Sequence, residues 1–201
     1  MIETLSRKDD AIFLWLNGHL ASHVLDPVMV AATDLGNGFY LYPLGLVLMI
    51  LLSRKAVARD VALWVSTSLI GLVFERTLKV WVARPRPLSH FSAQIQSHSV
   101  HIHVVGPHLY ALSFPSGHAF SAFSTAALFG GLYPGIRWPL FLLACLTGLS
   151  RVYVGAHFPG DVLGGAVVGL FSSWITLLYI RPRLPVRWGG SEASGKTEAC
   201  R

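Results

Sequence analysis

The chain has 201 residues, 53% of them hydrophobic and 13% charged, with a formal net charge of +6 and a mean hydropathy of +0.54. A soluble domain carries about 25% charged residues, so this composition excludes an ordinary soluble enzyme and a disordered chain. Two cysteines, Cys145 in an apolar run and Cys200 next to the last residue, exclude a disulfide framework. What is left is an all-α protein built in a bilayer, where each crossing needs about 20 mainly apolar residues.

Taken in order, the N-terminal Arg7-Lys8 is followed by Asp9-Asp10 and an apolar run too short for a cleaved signal. Segment 11–35 is apolar but interrupted by Asn17, His19, His23, Asp26 and Asp34, and reads as one broken span. Within it Asp26-Pro27 reads as an N-cap with proline in the first turn. Five clearer spans follow at 39–52, 61–82, 119–133, 138–150 and 162–180, with Pro134-Gly135 as the turn between the third and fourth of these. The total is six transmembrane helices in one domain, 1–188, with 189–201 as a disordered cytoplasmic tail.

Six spans put both ends of the chain on one side. Eleven of the sixteen lysines and arginines fall there, and the positive-inside rule makes that side the cytoplasm of an inner (plasma) membrane. The other five, Arg76, Lys79, Arg84, Arg86 and Arg151, lie in or beside motifs. The positive charge is therefore a membrane-side collar, which leaves no nucleic-acid partner to explain it.

Three polar clusters fall at the opposite, non-cytoplasmic surface, where polar residues at membrane depth mark function. They are 79–87, ending one helix; 113–118, opening the next; and 150–161, joining the last two. Lys79, Arg86 and Arg151 supply three cations, and arginine forks match phosphate oxygens. Ser116 reads as an N-cap, which leaves the N–H groups of Gly117 and His118 at a positive helix end, a site for an anion. His157 and Asp161, four apart at a helix start, can meet. A carboxylate on one ring nitrogen leaves the other as a nucleophile or base, and His118 is free to be an acid. The inventory describes phosphoryl transfer with no metal and no other cofactor.

These clusters resemble the three signatures of the type 2 phosphatidic acid phosphatase (PAP2) superfamily, which also includes vanadium haloperoxidases. Lys-x6-Arg-Pro matches Lys79 to Arg86-Pro87, with Arg84-Pro85 as an extra copy two residues early. Pro-Ser-Gly-His matches Pro115 to His118, and Ser-Arg-x5-His-x3-Asp matches Ser150, Arg151, His157 and Asp161. The resemblance implies a six-span, haloperoxidase-like helical bundle acting on a membrane lipid phosphate. It implies that His157 attacks phosphorus with Asp161 orienting it, and that His118 protonates the leaving oxygen. Lys79, Arg86, Ser116, Gly117 and Arg151 would hold the phosphate. Undecaprenyl pyrophosphate and phosphatidylglycerophosphate lead the substrates, with phosphatidic acid and lipid A phosphates behind. A lipid-to-lipid phosphotransferase would use the same residues. A soluble haloperoxidase conflicts with the hydropathy, and a flippase has no use for His157 with Asp161.

Other features have plainer readings. Arg84 is either a helix-end charge reaching the interface or a substrate contact. Glu75 shares a face with Lys79 and pairs with it or with Arg76, for function or for structure alone. Loop 88–112 carries His90, His98, His101, His103 and His108; lacking a cysteine or carboxylate nearby, it reads as a wet, substrate-facing loop in preference to a zinc site. Trp15, Trp64 and Trp138 read as interface markers. Gly164-Gly165 and Gly169 read as points of close helix packing.

Overall fold

The structure, a computed structural model, describes residues 2–53 and 56–184, so the tail expected from Gly189 lies outside it. Its helices are α1 (Ile2–Leu20), α2 (Asp26–Leu35), α3 (Gly38–Leu52), α4 (Val57–Val82), the short α5 (Pro87–His90) and α6 (Ser92–Gln96), α7 (Gly117–Leu132), α8 (Arg137–Tyr153) and α9 (Pro159–Ile175). A π turn, Thr176–Ile180, extends α9. All regular structure among the described residues is helical.

α7 is the axis of the bundle, packed against α9, α8 and α4. Its contact with α9 is backbone to backbone. A Cβ on Gly165 would collide with the Ser116 carbonyl, and one on Gly169 would lie 2.7 Å from both the Phe120 oxygen and the Ser124 nitrogen. Between helices in lipid there is no hydrophobic drive, so small residues and hydrogen bonds carry association. The buried hydroxyls follow that rule: Ser173 donates to the Ser124 carbonyl at 2.7 Å, Thr67 to Thr176 at 2.9 Å and Thr147 to the Ala32 carbonyl at 2.9 Å. The outer surface is apolar instead, with Phe39, Leu51, Trp81, Leu142 and Val167 all exposed. This inverts a soluble protein and marks a membrane protein.

Two helical stretches, Val57–Gln96 and Pro159–Arg183, are long and apolar enough to cross a bilayer, and α2 with α3, bent by 66°, pass together as a third. α7 and α8, at 16 and 17 residues, stop just short. One end of the bundle is closed by Met49, Leu63, Trp64, Leu128 and Phe129, which draw in the ends of α3, α4, α7 and the π turn after α9. There Tyr133 donates to Asp60, which also pairs with Arg59 at 2.7 Å. Burial and that carboxylate together push the Tyr133 phenol above its usual value.

The opposite end differs from expectation. Segment 11–35 is not one span: it is two helices parted at residues 21–25, and α2 continues into α3 instead. α1 lies across the end of the bundle. Asp9 bonds the Gly160 N–H at the start of α9, and the Asn17 amide donates to Tyr153 and His103 carbonyls at 2.7 and 2.9 Å. Asp26, at the other side of the break, accepts from the Tyr153 hydroxyl at 2.7 Å. Two of the polar residues that interrupt the apolar pattern, Asn17 and Asp26, are thus satisfied at the end of α8, and with Asp9 on the start of α9 they pin α1 there. Asp26 is spent the same way: Leu25 occupies the N-cap position of α2 without a side-chain bond. Among the described residues, five helical runs therefore pass from end to end, namely α2 with α3, α4, α7, α8 and α9. Leu184 packs on the cluster that closes the far end, whereas α1 packs on α8 and α9 at the site end.

α1, α5, α6 and residues 97–116 form a cap whose core is Phe13, Phe91, Ile102 and Phe158 with Val152 of α8. Trp15 and Trp138 are exposed, but Trp64 is not an interface marker: it is buried against Gly45 and its indole donates to Thr125 at 3.1 Å.

Candidate active site

The three clusters meet where the cap sits on the bundle. Backbone bonds tie them: the Ser113 N–H donates to the Arg84 carbonyl at 2.8 Å, Arg86 N–H to Tyr110 at 3.0 Å, and Ser116 N–H to the Asp161 carbonyl at 2.9 Å. Each motif is thereby registered on another without any ligand.

His157 lies in the connection 154–158, its side chain 2% exposed. Its Nδ1 faces an Asp161 oxygen at 3.7 Å and the Ser113 hydroxyl at 3.4 Å. The Arg86 Nη1 stands 3.3 Å from Nε2, and a guanidinium only donates, so Nε2 is the acceptor and Nδ1 carries the proton. Burial pushes this imidazole down to about 4, against the Asp161 bond that raises it. It is neutral, with a lone pair on Nε2, at any ordinary pH. Asp161, fully buried in the first turn of α9, accepts from the Phe158 N–H at 2.9 Å and the Ser113 hydroxyl at 2.5 Å.

Arg86 stands at Nε2, and the Arg151 charge acts on the same ring. Arg86 also donates to the Ala111 and Ala156 carbonyls at 2.8 and 3.1 Å, which fixes its fork. Burial lowers its pKa somewhat, yet a guanidinium remains charged. Arg151, 6% exposed, bonds Thr33 at 3.2 Å and leaves its buried Nε without a partner among the described residues. Lys79 pairs with Glu75, and the two sit against Gly117, with Lys79 Nζ 3.6 Å from where a Cβ would stand.

Ser116 caps α7, with extended backbone and its hydroxyl accepting from the Ala119 N–H at 3.5 Å. The Gly117 and His118 N–H groups precede any intrahelical partner. The half-buried His118 makes no side-chain hydrogen bond among the described residues. Lys79, Arg86, Ser116, Gly117, His118, Arg151, His157 and Asp161 thus come from four separate segments to one place. The arrangement can bind a tetrahedral anion by three cations and a helix N-terminus, and present a neutral nitrogen to it.

Three residues enter that sequence reasoning did not assign. Ser113, inside the second cluster but given no role, bonds Asp161. Thr33 braces Arg151. Asp9, read only as an argument against a signal peptide, pairs with Arg84 at 2.8 Å, and Arg84 in turn pairs with Asp161 at 2.8 Å. Arg84 is therefore neither a snorkelling charge nor a free substrate contact. The signal available was the cost of a charge in an apolar stretch, which demands a partner.

Of the loop histidines, His90 bonds Asp10 at 3.1 Å and His103 bonds Asp26 at 2.7 Å. His98, His101 and His108 line an open cavity of about 810 Å³ beside them. Among the described residues no three His, Cys, Asp or Glu side chains converge as a metal-ligand set.

The family model "PAP2 superfamily" matches residues 60–185. The undecaprenyl-diphosphatase BcrC of Bacillus subtilis is 34% identical over 168 residues, 82% of this chain and 80% of that protein. The lipid A 4'-phosphatase of Bacteroides thetaiotaomicron is 31% identical over 194 residues, 93% of this chain and 83% of its own. Among solved structures, Aquifex aeolicus LpxE superposes with a TM-score of 0.69 at 30% identity, covering 84% of this chain and 94% of that one. The converging motifs, the apolar bundle and these similarities agree: the chain belongs to the PAP2 superfamily, on its membrane lipid-phosphatase branch.

Proposed function

We propose that this chain removes the terminal phosphate of a polyprenyl diphosphate, undecaprenyl diphosphate in a bacterial envelope. The observation that carries the reaction is the neutral His157, its Nδ1 turned to Asp161 and its Nε2 turned to Arg86. Nε2 attacks the terminal phosphorus as the bridging P–O bond breaks, and His118 gives its proton to the departing lipid monophosphate. Water then attacks the phosphohistidine, His118 takes the proton back, and inorganic phosphate leaves. Asp161 stabilises the positive ring that forms on His157. Lys79, Arg86 and Arg151, with Ser116 and the Gly117 N–H, hold the three equatorial oxygens as charge spreads over them. No step calls for a metal.

Two observations support a lipid substrate of this kind. An apolar groove between α2–α3 and α7–α8 runs from Leu35 and Thr147 to Leu48 and Phe129. Its upper end adjoins Gly36, which lies against His118, so a tail in the groove would leave its head at the site. The choice of a polyprenyl diphosphate rests on the similarity to an undecaprenyl-diphosphatase over 82% of the chain.

In this reading α2 with α3, α4, α7, α8 and α9 cross the plasma membrane and α1 rides at the interface on the site side. Arg59, Arg137, Arg181 and Arg183 cluster at the far end, which the positive-inside rule makes cytoplasmic. The site then faces the periplasm or exterior, and the described residues form one membrane domain.

The test is phosphate release in detergent with EDTA, wild type beside His157→Ala. The panel is undecaprenyl diphosphate, phosphatidylglycerophosphate, phosphatidic acid and lipid A. The expected result is turnover in EDTA, highest kcat/KM on the diphosphate, inhibition by vanadate, and loss of at least about 1,000-fold in the variant. A higher kcat/KM on another lipid reassigns the substrate. Undiminished turnover by the variant removes His157 as nucleophile.

A further inference from the structure

The two oxygens of Asp161 are used unequally. One takes the Ser113 hydroxyl and the Phe158 N–H and faces His157, while the other takes Arg84 alone, at 2.8 Å. The second nitrogen of Arg84 reaches Asp9 of α1 at 2.8 Å. The other oxygen of Asp9 accepts the N–H of Gly160, the residue just before Asp161, also at 2.8 Å. The guanidinium is further fixed by lying 4.1 Å over the Phe158 ring. Asp9 therefore grips Asp161 twice, through Arg84 and through the backbone of its neighbour.

Charge gives this grip a consequence for the reaction. An arginine bonded to Asp161 alone would draw the carboxylate's field away from His157, whose ring must become positive when phosphorus is attacked. A second carboxylate behind that arginine restores the balance, so that the sequence Asp9, Arg84, Asp161, His157 alternates in sign. Geometry points the same way, because a guanidinium bridging two carboxylates, one terminal nitrogen to each, restrains the position of the inner one.

We propose that Asp9 and Arg84 are positioning residues for phosphoryl transfer: α1 is clipped through Asp9 and Arg84 onto Asp161, and the clip sets the orientation and effective charge that Asp161 offers His157. The inference rests on the reading of His157 and Asp161 given above. Both terminal nitrogens of Arg84 are taken by carboxylates, so the pair acts on the chemical step through Asp161 and not on binding.

The experiment measures kcat and KM separately on the best lipid of the panel for Asp9→Asn, Asp9→Glu, Arg84→Gln, Arg84→Lys and the Asp9→Asn/Arg84→Gln pair, alongside His157→Ala and Asp161→Asn. Melting in detergent is followed throughout. Asp9→Asn keeps the size of the side chain and one acceptor, enough for the Gly160 N–H, while removing the charge that faces Arg84. Its kcat should fall on the order of 10-fold to 100-fold, the scale of a small misplacement of a reacting group, with KM within about twofold. Asp9→Glu should recover most of that loss, Arg84→Lys less than half of what Arg84→Gln loses, and the pair should lose no more than Arg84→Gln alone. An unchanged kcat in Asp9→Asn, a change confined to KM, or losses that multiply in the pair would overturn the clip while His157→Ala and Asp161→Asn remain dead. Full turnover by those two variants would instead remove the site reading, and the clip with it.

Discussion

The bundle and its cap are held together by different forces. In the bundle, backbones touch through Gly165 and Gly169, and buried hydroxyls bond one helix to the next. In the cap, short helices rest on an aromatic cluster of Phe13, Phe91 and Phe158, and are fastened by Asp9, Asp10, Asn17 and Asp26. The bundle's contacts tolerate no added volume. The cap's contacts tolerate no lost partner. Function sits on the seam, since His157 and Asp161 belong to bundle connections while Arg84 and Ser113 lead into the cap.

The largest effect should come from adding volume to the bundle. Gly165→Leu forces a side chain into the Ser116 carbonyl, and overpacking of this kind costs about 2–3 kcal/mol even where the backbone gives. Folded yield and melting temperature in detergent should both fall sharply, whereas the same change at Gly135, which has open space around it, should leave them alone. A tolerated Gly165→Leu would mean that α7 and α9 do not meet as described.

At the seam, acidity is the lever. His157 must be neutral to attack, and burial holds it at about 4. The nucleophile is therefore available above that pH and withdrawn as pH falls through it, so the acid limb of kcat/KM lies near 4 and drops about tenfold per unit below, while the proton that His118 must carry sets a separate limb on the alkaline side. An acid limb near 6.5, the ordinary histidine value, would show that His157 is not buried in the working enzyme.

Removing a partner from the cap should act locally. Asn17→Ala leaves the carbonyls of His103, Val152 and Tyr153 without their donor and the His103 N–H without its acceptor. A loss of about 2 kcal/mol is expected, read as faster amide exchange in α1 and residues 97–116 with α7 and α9 unchanged. Uniform acceleration would erase the distinction between the two regions.

Glu75→Gln should have the smallest effect. Its partner Lys79 keeps its place beside Gly117 but loses its counter-charge, so KM should shift by a few-fold. If turnover and expression both stay the same, the pair contributes neither to binding nor to the fold.

The bundle was legible because apolar runs of the right length have few other destinations. The spans expected at 39–52, 61–82, 119–133, 138–150 and 162–180 correspond to α3, α4, α7, α8 and α9 with its π turn. The site's clusters were legible because cations and imidazoles at membrane depth need a reason, and the Ser116 cap could be read from the residues that follow it. The cap was not legible. α5 and α6 are too short to show a period, and α1 carries enough leucine and phenylalanine to imitate a span until its partners are known. Asp26 illustrates the ambiguity, since an aspartate before proline predicts a cap locally while Tyr153 and His103, more than seventy residues away, share its Oδ1.

That α1 lies at the site end has a consequence for how the protein enters its membrane. If the site faces outward, α1 lies outside the bilayer just before the crossing made by α2 with α3, so that crossing runs from the exterior to the cytoplasm. The flanking charges suit that direction, with Arg7 and Lys8 before the crossing, offset by Asp9 and Asp10, and Arg54, Lys55 and Arg59 after it. Reporter domains fused ahead of α1 and after Leu184 would then light up in different compartments, and insertion would deliver Asp9 to the exterior before the aspartate it helps to hold has been made.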